Sequence, residues 1–383
     1  MTLLFWLALV TFGLLVAIAI EFAIGNRRLF HLSEVPSIAE NSPPRVSVVI
    51  AARNEQRNIE TALGSLLRQE YSQIEFIVVD DRSTDETGRI LDRMAGKESR
   101  LQVVYVAELP RGWLGKNHAL HVGAGRARGE LLLFTDADVV MAPSTVRLAV
   151  GRLLSTNLDH LAVAPRIAVS GTLLNVFCGA FALFFGFYAK PWKASDATSP
   201  RHIGIGGFNL VRAEVYRAIG GHASIAMRPD DDMKLGKLIK KSGHRQEMVL
   251  GDGLVTVEWY SSVRELVRGL EKNSFAGFEY NLALIVASTL AQLVVFIWPV
   301  IALFITNGAT WWLNVGSLAA TAALYVDTAR CHGAKARYVV GFPLAVVLFL
   351  FILWRATLKT LIHNGIFWRG THYALRELKA NRI

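Results

Sequence analysis

Apolar and polar positions alternate along this chain on two length scales. Thr2 to Ile20 is free of charge and long enough to cross hydrocarbon as a helix, with Glu21 and then Arg27 and Arg28 behind it. Past a linker holding Pro36, Pro43 and Pro44 the apolar runs become short: Val46–Ala52, Ile74–Val79, Leu101–Val106 and the start of Leu131–Asp138. Runs of that length and β-branched content predict strands buried on both faces. Between them, Asn58–Leu67 carries apolar residues at helical spacing, and Leu109–Leu120 reads as a loop opening into a helix that ends near Arg128. Strands alternating with helical stretches predict right-handed βαβ units and a mainly parallel sheet.

Long apolar runs return later, at Thr172–Ala189, Leu282–Ile305, Trp311–Val326 and Tyr338–Trp354. As a helix the second would span about 36 Å, enough to cross. Thr172–Ala189 lies between two groups of candidate site residues, so it is expected to lie against the bilayer rather than to span it. The positive charge behind the first run places the strand-rich segment after it in the cytoplasm. It also favours a retained anchor over a cleaved signal peptide, for which Ala17-Ile18-Ala19 would be the site but a basic leader is missing. From Arg355 on, the tail has six Lys or Arg and one acid and belongs on the same side, so one of the later apolar runs is re-entrant, or the last forms a tight hairpin.

With 383 residues, 52% of them hydrophobic, the chain is too apolar for a purely soluble protein. Its formal charge of +10 would suit nucleic acid, but the basic residues flank apolar segments and form no aromatic-interleaved stripe, so an anionic membrane face is the expected partner. Cys178 and Cys331 lack metal-ligand spacing and predict neither a disulfide nor a zinc site.

Polar groups gather where the strands end. In LLLFTDAD, Asp136 and Asp138 end the strand with their side chains on the same side of the extended backbone, and such a pair suits a hard divalent cation. Arg53-Asn54-Glu55 stands just past the first short strand. Asp80-Asp81 ends the second, where adjacent carboxylates repel unless a ligand or donor group relieves them, and Ser83, Thr84 and Asp85 suit a helix cap. Lys116 can neutralise phosphate oxygens, while His118 suits packing as well as function. Gly204, Gly206 and Gly207 permit either close approach to a ligand or a tight turn. Asp230, Asp231 and Asp232 precede a helical run to Lys241 and complement its N-terminal end. No complete dinucleotide-binding or Walker A glycine motif is present.

VSVVIAARNE, VVDDRSTDET, GWLGKNHAL and LLLFTDAD, in this order and spacing, resemble the nucleotide-binding half of family 2 inverting glycosyltransferases with the GT-A fold. The likeness covers about 46–273 and is closest to membrane-attached enzymes acting on lipids, among them ceramide, carotenoid and hopene-associated glycosyltransferases. The resemblance implies a Rossmann-like α/β GT-A domain over 29–273 in the cytoplasm, a transmembrane anchor over 1–28 and a helical membrane region over 274–383 of a cell (inner) membrane protein. It implies that Glu55, Asp80, Asp81, Lys116, Asp136 and Arg268 bind the nucleotide sugar, that Asp136 and Asp138 hold Mg²⁺ or Mn²⁺, and that Gly206 and Gly207 lie on the acceptor side. Aligned on the helix after the acidic triplet, Asp232 takes the place of the base and Asp231 that of the acid before it, in a register that one residue could shift.

Where many members carry Gln-x-x-Arg-Trp, this chain has Glu265-x-x-Arg268-Gly269; Lys272-Asn273 and the tail's Trp368-Arg369-Gly370 and Tyr373 resemble the carotenoid-type enzymes instead. The implied reaction is inverting transfer of one sugar, from a UDP-sugar by first choice, to a lipid acceptor. A processive polysaccharide synthase and a catalytically silent nucleotide-sugar-binding membrane protein are the alternatives. No pattern in the sequence encodes the sugar, the nucleoside, the lipid or the oligomeric state.

Overall fold

A computed structural model describes residues 2–36 and 42–383; part of the linker expected after Pro36 lies outside them. The chain divides into two compact units, one of Met1–Arg28, Val169–Lys190 and Trp259–Leu375, the other of Leu29–Ala168, Pro191–Glu258 and Arg376–Ile383.

The second unit is built on an eight-stranded sheet. Its strands, in chain order, are β1 (Phe30–His31), β2 (Val46–Ala52), β3 (Ile74–Asp81), β4 (Leu101–Val106) and β5 (Leu131–Asp136), followed by β7 (His160–Ala164), β9 (Asn209–Arg212) and β10 (Gln246–Leu250). A smaller sheet holds β6 (Val139–Met141), β8 (Arg166–Ala168) and β11 (Val255–Glu258), in the order β6-β11-β8. The large sheet runs β1-β10-β7-β9-β5-β2-β3-β4, and β9 alone pairs antiparallel with both neighbours. The expectation of a mainly parallel sheet with helices holds.

The apolar runs are strands because both faces are covered. Val46, Val48 and Ile50 of β2 point into one core with Phe76 and Val78 of β3, while Val49 joins Ile77 and Val79 in the core on the other face. The chain leaves β2 toward β3 and β4 and returns through β5 on the other side of β2. That reversal opens a crevice at the carboxyl ends of β2 and β5, where ligands bind in open α/β sheets.

The other unit is helical. Its long helices are Leu3–Asn26, Thr172–Ala189, Gly308–Cys331 and Phe342–Ile362, and a hairpin of β12 (Gly365–Trp368) and β13 (Thr371–Ala374) comes after the last of them. Four segments, at Leu3–Asn26, Thr172–Lys193, Leu282–Ala302 and Ala336–Ile362, are long and apolar enough to cross a membrane. The run read as one span over Leu282–Ile305 is instead Leu282–Gln292, a π-helical stretch Leu293–Ile297 and Trp298–Ala302. Pro299 explains the interruption, since it lacks the N–H and its ring crowds the carbonyl four residues before it. Polar ties hold this unit together: Lys190 Nζ donates to Glu21 at 2.8 Å, Asn26 Nδ2 to Asp327 at 2.9 Å, and Lys359 Nζ to Glu271 at 2.9 Å.

Candidate active site

The strand β5 stops at Asp136, and Ala137-Asp138 form a turn into β6. The extended geometry expected to put both aspartates on one side therefore does not reach Asp138. The charge of Asp136 nevertheless acts on Asp138. Burial, then the charges of Asp136 and Glu55, raise the Asp138 carboxyl to about 7, against a smaller opposing pull from Lys116. Glu55 is thus within electrostatic reach of the pair, on the loop after β2.

Adjacent Asp80 and Asp81 are relieved from within the protein. Asp81 receives Arg82 Nε at 2.7 Å and Nη2 at 3.0 Å, with Arg53 at 3.5 Å, and Asp80 Oδ1 accepts the Ser83 N–H at 3.0 Å. The two strand-end loops interlock. Asn54 Oδ1 accepts the Thr84 N–H, Ser83 Oγ accepts the Asn54 N–H, and Asp85 accepts the amides of both Gln56 and Thr87. Asp85 thus reaches the first residue of the helix Thr87–Ala95, but the cap position is held by Glu86 without a side-chain cap, so Ser83, Thr84 and Asp85 serve a loop-to-loop network in place of the expected capping. Asn54 and Arg82 sit at φ +55 and +58, a left-handed conformation that non-glycine residues hold only where surrounding bonds enforce it.

Lys116 is the second residue of the helix Gly115–Arg126. A Cβ on Gly115 would stand 2.3 Å from Asp81 Oδ2, so only glycine lets the helix start this close to β3. From there the Lys116 ammonium lies 2.9 Å from Asp136 Oδ1 and 3.2 Å from Asp231 Oδ2. Burial works against its charge, but Asp136, Asp231 and Asp232 outweigh that and hold its pKa above the ordinary lysine range.

The three consecutive acids have separate surroundings. Asp230 is taken by the buried Arg228, at 2.9 and 3.0 Å, and by Lys234 at 3.5 Å. Asp231 faces Lys116. Asp232 Oδ2 accepts the Gly206 N–H at 2.8 Å and Oδ1 the Met233 N–H at 2.7 Å. Burial and then the charge of Asp231 raise the Asp232 carboxyl to about 7, with Lys116 pulling the other way. Gly206 fits between two carboxylates: its Cβ would lie 2.8 Å from Asp136 Oδ2 and 3.5 Å from Asp232 Oδ2. Gly207 has only ordinary contacts there, with Val139 and Pro165, but its carbonyl accepts the Thr135 hydroxyl.

Lys116, Asp136, Gly206, Asp231 and Asp232 therefore line one cleft. Arg268 lies exposed on the helix Val263–Ser274 of the helical unit. His118 packs edge-on against Trp113, their ring centroids 5.5 Å apart. Sequence reasoning did not single out His222, which also lines the cleft and bonds Tyr216 through Nδ1 at 2.8 Å. The only signal was its place beside Gly220-Gly221, in a loop of positive φ before the acidic triplet.

Residues 47–220 match the model described as Glycosyl transferase family 2. Among curated relatives, the 4,4'-diaponeurosporenoate glycosyltransferase of Staphylococcus haemolyticus is 26% identical over 61% of this chain and 61% of its own. The probable glycosyltransferase YdaM of Bacillus subtilis is 28% identical over 52% of this chain and 49% of its own. The chain thus spans about half to three fifths of the length of these relatives. Of solved structures, the mannosyltransferase PcManGT of Pyrobaculum calidifontis, in complex with GDP-Man and Mn²⁺, superposes with a TM-score of 0.57 at 20% identity, over 91% of this chain and 99% of that one.

Proposed function

From the match of residues 47–220 to the Glycosyl transferase family 2 model, we propose that the protein transfers one sugar, with inversion, from a nucleotide sugar to a lipid hydroxyl at the cytoplasmic face of the cell membrane. The observation that carries the reading is the cleft in which Lys116 stands between Asp136 and Asp231, with Asp232 beside them. The membrane-length apolar helices support a lipid acceptor, as do relatives named for 4,4'-diaponeurosporenoate. Arg27 and Arg28 behind the first helix, and the basic tail, support the cytoplasmic side.

In this reading the acceptor hydroxyl attacks the anomeric carbon and the bond to the diphosphate breaks with its electron pair, so no covalent enzyme intermediate forms. Asp232 takes the hydroxyl proton. It is the better placed of the two acids, because Asp231 faces the Lys116 ammonium whereas the Asp232 oxygens are oriented by the Gly206 and Met233 amides. A base positioned in this way contributes about 10² to 10⁴ in rate. Lys116 stabilises the charge that grows on the departing diphosphate, and Glu55, Asp80 and Asp81 are the remaining donor-side residues of the proposal.

Two carboxyls crowded enough to raise Asp138 toward neutrality suit a divalent cation. Asp136 and Asp138 are the residues that would hold Mg²⁺ or Mn²⁺; among the described residues no group of three or more His, Cys, Asp or Glu is arranged for a metal. When bound, the ion supplies Lewis-acid stabilisation of the leaving group.

The test uses purified protein in detergent with Mn²⁺ or Mg²⁺, radiolabelled UDP- and GDP-sugars and a total lipid extract of the source cell, beside Asp138→Ala and Asp232→Ala. Label entering one discrete lipid, lost in both variants, is the expected result. Label in long polymer would establish a processive synthase instead, and donor binding without transfer from any sugar would establish a silent binder.

A further inference from the structure

The acids of the cleft depend on the loop before them, and that loop is gripped by two asparagines. Asn117, fully buried and next to Lys116, donates through Nδ2 to the carbonyls of Ile225 at 2.8 Å, Arg228 at 2.9 Å and Ala226 at 3.2 Å. The Leu114 N–H adds a bond to the Ala226 carbonyl at 2.9 Å. The second grip comes from 154 residues further along. Asn381 Oδ1 accepts the Met227 N–H at 2.9 Å, and its Nδ2 donates to the Ser224 carbonyl at 2.9 Å. One side-chain amide thus occupies both a donor and an acceptor of the same turn. Ile383 packs against the core cluster that contains Ile225, Tyr216 and Leu235. At the far end of the loop Arg228 is locked onto Asp230, and Asp231 and Asp232 come directly after.

We propose that Asn381 is a positioning residue for the Asp231–Asp232 carboxylates: by bracing residues 224–228 it fixes where the helix that begins at Asp231 presents its acids to Lys116 and Gly206. The inference rests on the reading of Asp231 and Asp232 given above. Asn381 touches none of the reacting groups. It acts through the loop, which reaches Asp231 and Asp232 three and four residues after Arg228, so displacement of the loop is passed on to them. Misplacement by about 1 Å can lower a rate by about 10²-fold.

Hydrogen exchange and transfer kinetics on the full chain in detergent, for the wild type and Asn381→Ala, test this. The expected result is faster exchange in residues 221–232, foremost at the Met227 amide, with β2 and β3 unchanged. Alongside it, kcat falls about tenfold to a hundredfold while the donor KM stays within about threefold. Asn381→Asp, which keeps the acceptor for Met227 and loses the donor to Ser224, falls between the two. Unchanged exchange in 221–232 would overturn the brace. Faster exchange spread across β2 and β3 would make Asn381 merely structural, and faster loop exchange with unchanged kcat would overturn its positioning role. If the wild type transfers no sugar, the functional reading fails, and the exchange pattern alone still decides whether the brace exists.

Discussion

Gly206→Ala separates the geometry of the cleft from the stability of the fold. The new methyl would sit 2.8 Å from Asp136 Oδ2, where ordinary contact begins at 3.4 Å, so the carboxylate must retreat by about 0.6 Å. It has room to do so, because its side chain is 39% exposed and ends the strand. The opposing atom is the tip of a side chain, so stability should fall by about 1 kcal/mol or less, below the usual range for overpacking. Function has no such slack. Asp136 Oδ1 holds Lys116, which also holds Asp231, so the shift is relayed through the whole charge cluster. A kcat about tenfold to a hundredfold lower is expected. Gly204→Ala is the contrast: its methyl would lie 1.9 Å from the Asp232 carbonyl oxygen, a backbone atom that cannot rotate away, and the protein should lose several kcal/mol or fail to fold. Initial rates and thermal unfolding of both variants in detergent decide the matter. Wild-type kcat in Gly206→Ala, or a loss of Tm as deep as that of Gly204→Ala, would refute the reasoning.

Replacing Lys116 by Met leaves Asp136 and Asp231 facing each other without their shared cation. The Lys116 side chain is 21% exposed, so the stability loss should stay below the roughly 3 to 5 kcal/mol of a broken buried pair, while single-turnover transfer drops by about 10²-fold or more; turnover within tenfold of the wild type would contradict its role. Acid should also destabilise the sheet unit through His160. Burial lowers its pKa to about 4, and the Asn209 contact at 2.9 Å does not reverse this. An unfolded histidine titrates near 6.5, so the unfolded state binds the proton first as pH falls. Stability is intact above about 6.5 and is lost between there and 4, at up to ~1.4 kcal/mol per pH unit. Protonation of Asp138 and Asp232, both raised to about 7, works the other way, so the His160 contribution is read as the difference between wild type and His160→Gln: from pH 7 to 5 the melting temperature of the wild type should fall relative to that of the variant, and parallel profiles would show that His160 is not held neutral.

Sequence pattern and structure parted at identifiable residues. The runs Val46–Ala52 and Ile74–Val79 were legible as strands because burial on both faces leaves them apolar but for Ser47 and Glu75, which bond each other across the strands at 2.6 Å. Asp136 and Asp138 were legible as a pair but not in geometry, since the period-two argument holds only while the strand continues and β5 ends at Asp136. The repulsion expected between Asp80 and Asp81 was a correct inference from adjacency, yet what relieves it includes Arg53, which stands 28 residues before Asp81 in the chain.

The sequence by itself determined the alternation of strand and helix, the apolar lengths that suit a membrane and the residue types able to hold a diphosphate. Each of these is a local property, set by hydrophobic period and side-chain chemistry. Tertiary structure alone decided which charges meet: that Lys116 lies between Asp136 and Asp231, that Asp230 is spent on Arg228, and that Asn381 reaches back to Met227. Such contacts join residues 20 to 154 positions apart, as well as the local pair Arg228 and Asp230. They depend on where a reversing sheet and a returning tail bring the chain together, and no spacing along the sequence encodes that.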